Sequence, residues 1–180
     1  MKLLGAILAG GRARRFGSDK AEATLNGRTL LAHVADALRP HCDALVLCGR
    51  THPDWTSLED RPRAGLGPLG GLCAALAYGE AAGFTAVLSA PCDTPNLPPD
   101  LLDRLSEASP TYVIDLPVVG LWPCTLAEQL GCWLDQAENR SIRAWARSVS
   151  ATPVDFGHKL GNINTRDDLI AFEAPRASRS

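Results

Sequence analysis

The feature that most constrains the fold of this chain is a series of short apolar runs separated by helix-like segments. The first run, Leu3–Leu8, contains no polar residue, and Ala44–Cys48 and residues 84–90 are also mainly apolar. A continuous apolar run is typical of a strand that is buried on both faces of a sheet. Such strands, alternating with helices, predict an α/β fold with a mostly parallel sheet covered on both sides.

The helix-like segments are marked by caps and by apolar stripes at helical spacing. Thr29 is placed to cap a helix over residues 29–41. Pro98 and Pro99 are expected to open another helix, because proline suits the first helical position. Thr165 is expected to cap the last helix. Further helices are predicted at 69–82, 125–138 and 141–148, and strands at 111–116, 118–122 and 153–156, with the pairing of the first two of these strands left open.

The length and composition predict one globular domain over residues 1–173. The tail at 174–180, APRASRS, has too little apolar content to hold it, so we expect it to be disordered. The net charge of -2 gives no overall attraction to nucleic acid or acidic membranes. Six cysteines without a C-x-x-C pair, and the lack of a signal peptide or membrane span, predict a cytoplasmic protein with reduced thiols.

Two glycines, Gly10 and Gly11, follow the first apolar run, and four cations come directly after them. Glycines here are consistent with a tight turn, because glycine tolerates positive φ. They also allow backbone N–H groups at a strand's carboxyl end to hold an anion. We therefore predict a triphosphate site, with a solvated basic face as the alternative; the lack of a G-x-x-x-x-G-K-[ST] segment disfavours a P-loop NTPase. The cations are Arg12, Arg14, Arg15 and Lys20.

A second glycine-rich segment, GLGPLGGL at residues 65–72, contains G-x-G-x-x-G at Gly65, Gly67 and Gly70. A dinucleotide fingerprint requires a strand directly before it, whereas the preceding segment is polar and broken by proline. We favour a loop whose amides meet a ligand before a helix N-terminus, which is a favourable place for negative charge.

A single carboxylate, Asp93, follows the run at residues 84–90 in the segment VLSAPCDTP. An Asp before Thr-Pro is also a common turn former. This Asp is nevertheless expected at the same carboxyl edge of the sheet as Gly10. There it can hold Mg²⁺, which prefers oxygen ligands and usually binds through one or two carboxylates plus substrate phosphates. The sequence thus predicts that Asp93, through magnesium, and the cationic turn bind the phosphates of one nucleotide.

Two asparagines, Asn162 and Asn164, occur in the segment GNINTRDDL. In an extended segment they would face the same way, which suits polar contacts with a ligand. Thr165 and Asp168 form a relative of the capping box, so a turn before a capped helix is the alternative. The four histidines lack metal-ligand spacing. A Ser-His-Asp triad stays open as an alternative, although no G-x-S-x-G motif supports it.

These four segments, in this order, resemble the molybdenum cofactor guanylyltransferases, the MobA family of nucleotidyltransferases. The matching text is LAGGRARRFGSDKA, EDRPRAGLGPLGGL, SAPCDTPNLPPDL and GNINTRDDL, from Leu8 to about Phe172. The LAGG start is common to a wider superfamily of sugar-nucleotide transferases, whereas the PCDTP and N-x-N-T segments narrow the resemblance. It implies a Rossmann-like three-layer αβα nucleotidyltransferase fold.

The resemblance also implies roles for residues of all four segments. Lys20 and Asp60 would help to bind a guanine nucleotide, and Asp93 would ligate Mg²⁺. Arg15 matches the opening motif, and with Lys20 and Asp93 it is expected to serve catalysis. The expected nucleotide contacts are Leu8, Ala9, Gly10, Gly11, Lys20, Asp60 and Asp93, and those to the second substrate are Gly67, Asn162 and Asn164.

The sequence departs from the family's usage at two points. Cys48 stands where some members have an asparagine at the end of the second strand, which removes an amide that could bind the base or ribose. Phe16 stands where methionine is frequent. The first departure bears on the choice of nucleobase.

The function that the resemblance implies is transfer of GMP from GTP to molybdopterin carrying molybdenum, with release of pyrophosphate. The expected partners are GTP, molybdenum-molybdopterin and proteins that mature molybdoenzymes, with Mg²⁺ as cofactor and with neither nucleic acid nor membrane. Two alternatives stay open. One is a cytidylyltransferase acting on molybdopterin or on a sugar phosphate, and the other is a nucleotide-binding adaptor without chemistry that aids insertion of the cofactor.

Overall fold

The computed structural model describes residues 1–10 and 23–173. The tail at 174–180, for which disorder is predicted, lies outside these ranges. The strands of the described part are β1 (Leu3–Leu8), β2 (Thr24–Leu25), β3 (Arg28–Thr29), β4 (Ala44–Cys48), β5 (Ser57–Leu58), β6 (Ala86–Pro91), β7 (Thr111–Val113), β8 (Gly120–Pro123) and β9 (Thr152–Val154). The α-helices are α1 (Leu30–Leu38), α2 (Pro68–Ala81), α3 (Leu101–Leu105), α4 (Ala127–Gln136), α5 (Ile142–Ser148) and α6 (Arg166–Glu173), with short 3₁₀ helices at Arg39–His41 and Cys124–Leu126.

The central sheet has seven strands within the described ranges, in the order β5-β4-β1-β6-β8-β7-β9. β5, β4, β1 and β6 are parallel to their neighbours. β8 runs antiparallel to both β6 and β7, and β7 pairs in parallel with β9. Six of the seven strands therefore point the same way, and the prediction of a mostly parallel sheet is confirmed.

Alternate side chains of β1 pack into two different cores. Leu4, Ala6 and Leu8 lie in the core that also contains residues of α2, α4 and α5. Leu3 and Ile7 lie in the core on the other face, with residues of α1 and α3. Because side chains of a strand point alternately to the two faces, a strand buried on both must be apolar throughout. The predicted three-layer arrangement of helices, sheet and helices is confirmed.

Two of the predicted helix caps are formed by side-chain oxygens. The hydroxyl of Thr29 accepts a hydrogen bond from the backbone N–H of Ala32 at 3.2 Å and begins α1. The hydroxyl of Thr165 accepts one from the N–H of Asp168 at 3.1 Å, and Asp168 Oδ2 accepts one from the N–H of Thr165 at 2.8 Å. This reciprocal pair is a capping box with Asp in place of Glu.

The sequence was wrong about the prolines before α3. That helix begins at Leu101 and has five residues, so neither Pro98 nor Pro99 occupies its first turn. A residue that precedes proline is disfavoured in the α region, and Pro98 precedes Pro99. The N–H of Leu101 instead donates to the Pro98 carbonyl, which closes a turn before the helix.

The region between α3 and α4 also differs from its prediction. β7 ends at Val113, and a turn closed by a hydrogen bond from the N–H of Val113 to the carbonyl of Val119 leads into β8. The two strands pair antiparallel with Tyr112 opposite Gly120, which resolves the pairing that the sequence left open. The sequence also missed β5, which contains only two residues. None of the helices in the described ranges is long and apolar enough to cross a membrane.

Candidate functional site

Three strands of the sheet end level with one another at the carboxyl edge. Leu8 at the end of β1 is opposite Cys48 of β4 on one side and Pro91 of β6 on the other. The N–H of Ala9 donates to the Cys48 carbonyl at 2.9 Å, and the N–H of Cys92 donates to the Leu8 carbonyl at 3.2 Å. Neighbouring strands are separated by about 4.8 Å. Gly10 and Asp93, each two residues beyond this level, therefore lie at adjacent strand ends.

The order in which the chain adds strands to the sheet reverses at this point. From β1 the chain builds β4 and β5 outward on one side, and α2 then carries it back to β6 on the other side of β1. Ligands of open α/β sheets bind in the crevice outside the carboxyl ends of the strands at such a switch point. Gly10 and Asp93 are on the two strands that flank it.

A second glycine, Gly49, packs its backbone against Gly10. Gly49 follows β4 and has a φ of 81°. A Cβ atom at Gly49 would lie 2.6 Å from the Cα of Gly10 and 2.8 Å from its nitrogen. Position 49 therefore requires glycine both for its conformation and for space. Gly49 is not among the residues predicted from the sequence, although a glycine directly after a predicted strand was the available signal.

The carboxylate of Asp60 lies against this glycine contact. Its Oδ1 atom is 3.6 Å from the place that a Cβ on Gly49 would occupy, and 3.9 Å from the corresponding place at Gly10. Oδ1 is buried and has no hydrogen-bond partner within the described part of the chain. A buried acceptor without a partner is costly in free energy. It is therefore a candidate for a contact with a donor on a ligand.

Burial raises the pKa of the Asp60 carboxyl above its ordinary value. Hydrogen bonds from the backbone N–H groups of Gly65 and Leu66 act in the opposite direction, because they favour the ionised form. The carboxylate thus has amide donors on the loop before α2, while Oδ1 stays without a partner. This arrangement holds an acceptor in place at the carboxyl edge.

The glycine-rich segment at 65–72 brings α2 close to Asp60. A Cβ at Gly70 would lie 2.9 Å from the Cβ and Cγ atoms of Asp60. A Cβ at Gly71 would lie 3.0 Å from the Cβ of Cys48. Gly67, with a φ of 65°, precedes the first residue of α2. Because β5 ends at residue 58 and does not lead directly into the glycines, the segment is not a dinucleotide fingerprint.

The segment with the two asparagines reaches the site through a backbone hydrogen bond. The N–H of Ile163 donates to the carbonyl of Asp93 at 2.9 Å. Asn162 is half-buried, and its Oδ1 atom is buried with no hydrogen-bond partner among the described residues. Asn164 is exposed, and its backbone N–H donates to Asp168 Oδ2 at 2.8 Å. The structure therefore brings Asn162 close to Asp93, with Asn164 farther into solvent.

Comparison with known proteins identifies the family. The model of the MobA-like NTP transferase domain matches residues 5–151. The chain belongs to this family. A molybdenum cofactor guanylyltransferase from Cereibacter sphaeroides is 36% identical over 191 residues, with 97% of each chain covered.

Solved structures agree on the fold of this MobA-like chain. Molybdopterin-guanine dinucleotide biosynthesis protein A from Archaeoglobus fulgidus has a TM-score of 0.73 at 22% identity, covering 96% of this chain and 97% of that one. The 2-C-methyl-D-erythritol 4-phosphate cytidylyltransferase from Thermus thermophilus has a TM-score of 0.69 at 17% identity, with 97% of each chain covered. At these identities the likeness shows the nucleotidyltransferase fold alone, as predicted.

Cys48, the residue expected to bear on the choice of nucleobase, lies in the core. Its side chain is fully buried and packs beneath Gly71 of α2. Burial, with a smaller effect of the Asp60 charge, raises the pKa of this thiol to about 12. Cys48 is therefore an uncharged, small side chain at neutral pH rather than a nucleophile. All six cysteines are free, as predicted.

The cationic part of the MobA-like opening motif lies outside the described residues. The structure describes Leu8, Ala9 and Gly10 but not the residues that follow them, and the predicted roles of that segment stay predictions. The residues concerned are Gly11, Arg12, Arg14, Arg15, Phe16 and Lys20.

Proposed function

We propose that this protein transfers GMP from GTP to the phosphate of molybdenum-molybdopterin and releases pyrophosphate. The observation that carries the proposal is the convergence of Gly10, Asp60 and Asp93, which follow the carboxyl ends of β1, β5 and β6. The family membership and the 36% identity to a molybdenum cofactor guanylyltransferase support the same conclusion. Cytidylyl transfer and an adaptor without chemistry are less favoured, because the curated relative is named a guanylyltransferase.

The nucleotide occupies the side of the crevice formed by β1 and β4. The contact between Gly10 and Gly49 brings the ends of β1 and β4 together on this side, because a side chain at either residue would meet the backbone of the other. The unpartnered Oδ1 of Asp60 accepts a hydrogen bond from a donor on the nucleoside. Backbone amides after β1, together with Arg15 and Lys20, offset the charge of the triphosphate.

The reaction forms one phosphorus–oxygen bond and breaks another. An oxygen of the molybdopterin phosphate attacks the α-phosphorus of GTP, and the bond from this phosphorus to the β-bridging oxygen breaks. Pyrophosphate leaves with the electron pair, and the product contains a new phosphoanhydride. The attacking oxygen is already ionised at neutral pH, so a general base is not required. The protein contributes alignment of the reactants and neutralisation of charge.

Magnesium is the expected cofactor, and Asp93 is the residue that would hold it. The described residues contain no group of three or more His, Cys, Asp or Glu side chains that could enclose a metal ion. A single half-buried carboxylate at a phosphate site suits Mg²⁺, which usually keeps several waters and binds through substrate phosphates. When bound, the ion would supply charge stabilisation to the phosphates.

The second substrate occupies the side of the crevice beyond Asp93. Asn162 offers a buried Oδ1 without a partner, and Asn164 offers an exposed amide. Amide side chains can both donate and accept hydrogen bonds, which suits a pterin with ring nitrogens and carbonyl groups. Gly67 at the start of α2 is proposed to contact the same substrate. Proteins that mature molybdoenzymes are proposed to receive the product.

The test is a guanylyl-transfer assay on the wild type and on Asp93→Ala. With molybdenum-molybdopterin, GTP and Mg²⁺, the wild type should release pyrophosphate and form the dinucleotide, and CTP should be a poor substitute. Asp93→Ala should still bind GTP but should turn over at least about 100-fold more slowly.

The matched control for that assay is Asp103→Ala, which removes an exposed carboxylate on α3. It should retain the wild-type rate. Near wild-type turnover by Asp93→Ala would remove Asp93 from the mechanism. A wild type that binds GTP but never releases pyrophosphate would favour the adaptor, and equal rates with CTP would contradict guanine specificity.

A further inference from the structure

Ile163 lies between the two asparagines and connects their segment, by a hydrogen bond, to the residues that follow β6. Its N–H donates to the carbonyl of Asp93 at 2.9 Å. Its side chain is 0% exposed. Ile163 is therefore hydrogen-bonded through its backbone to Asp93, the proposed metal ligand, while its side chain is buried in the protein.

The side chain of Ile163 lies in a small core of its own. The other buried members are Leu25 of β2 and Leu30 of α1, and Leu169 and Phe172 of α6 pack against them. This cluster is separate from the two main cores of the sheet. A shift of Ile163 is therefore resisted by the β2–β3 hairpin and the ends of α1 and α6, which together enclose its side chain.

The surface against which Ile163 packs is itself fixed by hydrogen bonds. The N–H of Leu30 donates to the Ala23 carbonyl at 2.9 Å. The ring Nε2 of His33 on α1 is 2.8 Å from the Leu25 carbonyl, and it donates in the tautomer that carries the proton there. α1 is thereby hydrogen-bonded to Ala23, just before the hairpin, and to Leu25 within it. The position of the Ile163 side chain is set by this attached hairpin.

The other end of the asparagine segment is also held. The backbone N–H groups of Asn164 and Thr165 both donate to Asp168 Oδ2, each at 2.8 Å. The segment is thus fixed at Ile163 and again at the start of α6. Asn162 lies next to the first of these points, so its distance from Asp93 depends on where Ile163 sits.

We propose that Ile163 is a positioning residue that couples binding at Asp93 to binding at Asn162. The inference rests on the proposed function, since it assigns the nucleotide to one residue and the second substrate to the other. A ligand that fixes Asp93 also fixes the carbonyl to which Ile163 donates, and this fixes the neighbouring asparagine. Coupling of two binding sites is reciprocal, so each ligand should tighten the other by the same factor.

The experiment measures this factor without turnover. A GTP analogue with a methylene bridge between the α- and β-phosphates cannot release pyrophosphate, so both ligands can be present together. Its Kd is measured with Mg²⁺ in the presence and absence of molybdopterin, and the Kd of molybdopterin is measured with and without the analogue. In the wild type each ligand should tighten the other about fivefold or more. Ile163→Ala should lose this factor, and Ile163→Val should retain most of it.

Leu169→Ala is the matched control, because it removes packing from the same cluster at a residue that flanks neither asparagine. It should destabilise the protein and leave the coupling intact. Equal loss of coupling in Leu169→Ala, or undiminished coupling in Ile163→Ala, would overturn the proposal. A wild type that transfers GMP but shows no coupling would overturn this inference alone, whereas a wild type without transfer would overturn the proposed function.

Discussion

The two halves of the central sheet differ in how their strand ends are used. In the half formed by β5, β4, β1 and β6 all strands are parallel, and all four end level at the edge where the nucleotide site is proposed. In the half formed by β8, β7 and β9, one strand is reversed and each strand has three or four residues. The parallel half collects several strand ends at one edge, which is what a binding crevice requires. The strands of the mixed half contribute buried side chains to both cores.

A second contrast, between the crevice and a core, concerns buried polar atoms without hydrogen-bond partners in the described ranges. Oδ1 of Asp60 is such an atom in the parallel half, and it faces the glycine contact at the crevice. Nε1 of Trp145 is such an atom on α5, and its side chain is 0% exposed within a main core. An unpartnered atom beside a crevice can be satisfied by a ligand, whereas one enclosed in a core cannot. The first is expected to serve binding, and the second is a packing defect.

The largest effect is expected from Gly49→Ala in the parallel half. The new Cβ would meet the backbone of Gly10 at 2.6 Å, and alanine is also strained at a φ of 81°. We expect a loss of about 3 kcal/mol in the free energy of unfolding, and loss of GTP binding because the crevice is displaced. Urea unfolding and a GTP titration measure the two effects.

Two glycines serve as controls for that variant. Gly120→Ala in β8 would place a Cβ 2.7 Å from the Thr111 carbonyl oxygen, so it should also destabilise but should leave GTP affinity unchanged. Gly83→Ala has a similar φ of 75° with no atom within 4 Å, and should lose only about 1 kcal/mol. If Gly120→Ala weakened GTP binding as much as Gly49→Ala, the functional contrast between the halves would be wrong.

A smaller loss of GTP binding is expected from Asp60→Asn. Removal of the charged acceptor should weaken GTP binding by about tenfold or more, since a hydrogen bond to a charged group is worth about 1.5–3 kcal/mol. Stability without ligand should change in the other direction, because a raised pKa means that the folded state disfavours the carboxylate. Isothermal titration with GTP and melting without ligand check the two statements.

The difference in stability between Asp60→Asn and the wild type should depend on pH, because the pKa of Asp60 is raised in the folded protein. The folded state binds the proton more tightly than the unfolded state, so the favourable contribution of Asp60 is complete below its ordinary value of 3.8. This contribution to stability is lost as the pH rises through the raised pKa of Asp60 in the folded state. The advantage of Asp60→Asn in melting temperature should therefore grow with pH across this window and stay constant above it. An advantage that shrinks with rising pH would contradict the assigned direction.

How far the sequence predicted the fold differs from strand to strand. The bounds of β1 and β4 were predicted to the residue, because a strand buried on both faces must be apolar from end to end. β7 was predicted three residues too long and β8 two residues too early, since apolar residues continue through the turn at 114–119, in which only Val119 is buried and Ile114 is exposed. A short apolar run alone does not distinguish a turn from a strand.

Part of the site could also be predicted from the sequence, and part of it could not. Gly10 and Asp93 could be placed at one edge, because both follow apolar runs and parallel strands share a carboxyl edge. The contact between Gly49 and Asp60 could not be predicted, since it depends on how the loop before α2 packs on β4. The bond from Ile163 to Asp93 joins residues that are 70 positions apart, and a single sequence carries no signal for such a pairing.

The smallest change in stability is expected from Trp145→Phe on α5, with Trp122→Phe in β8 as its matched control. Both indoles are 0% exposed. Nε1 of Trp122 donates to Ser89 Oγ at 3.1 Å, whereas that of Trp145 has no partner in the part of the chain that the structure describes. Both variants lose similar apolar volume, so the difference between them isolates the N–H group.

Trp122→Phe should therefore be more destabilising than Trp145→Phe, by about 1–3 kcal/mol in the free energy of unfolding. Trp145→Phe should itself fall within about 1 kcal/mol of the wild type, because relief of the unpartnered donor offsets the lost packing against Trp133, whose ring centroid is 5.6 Å away. Urea unfolding of the three proteins measures both differences. Equal losses would mean that the Trp145 N–H is hydrogen-bonded in solution, and the contrast between a crevice atom and a core defect would then rest on Asp60 alone.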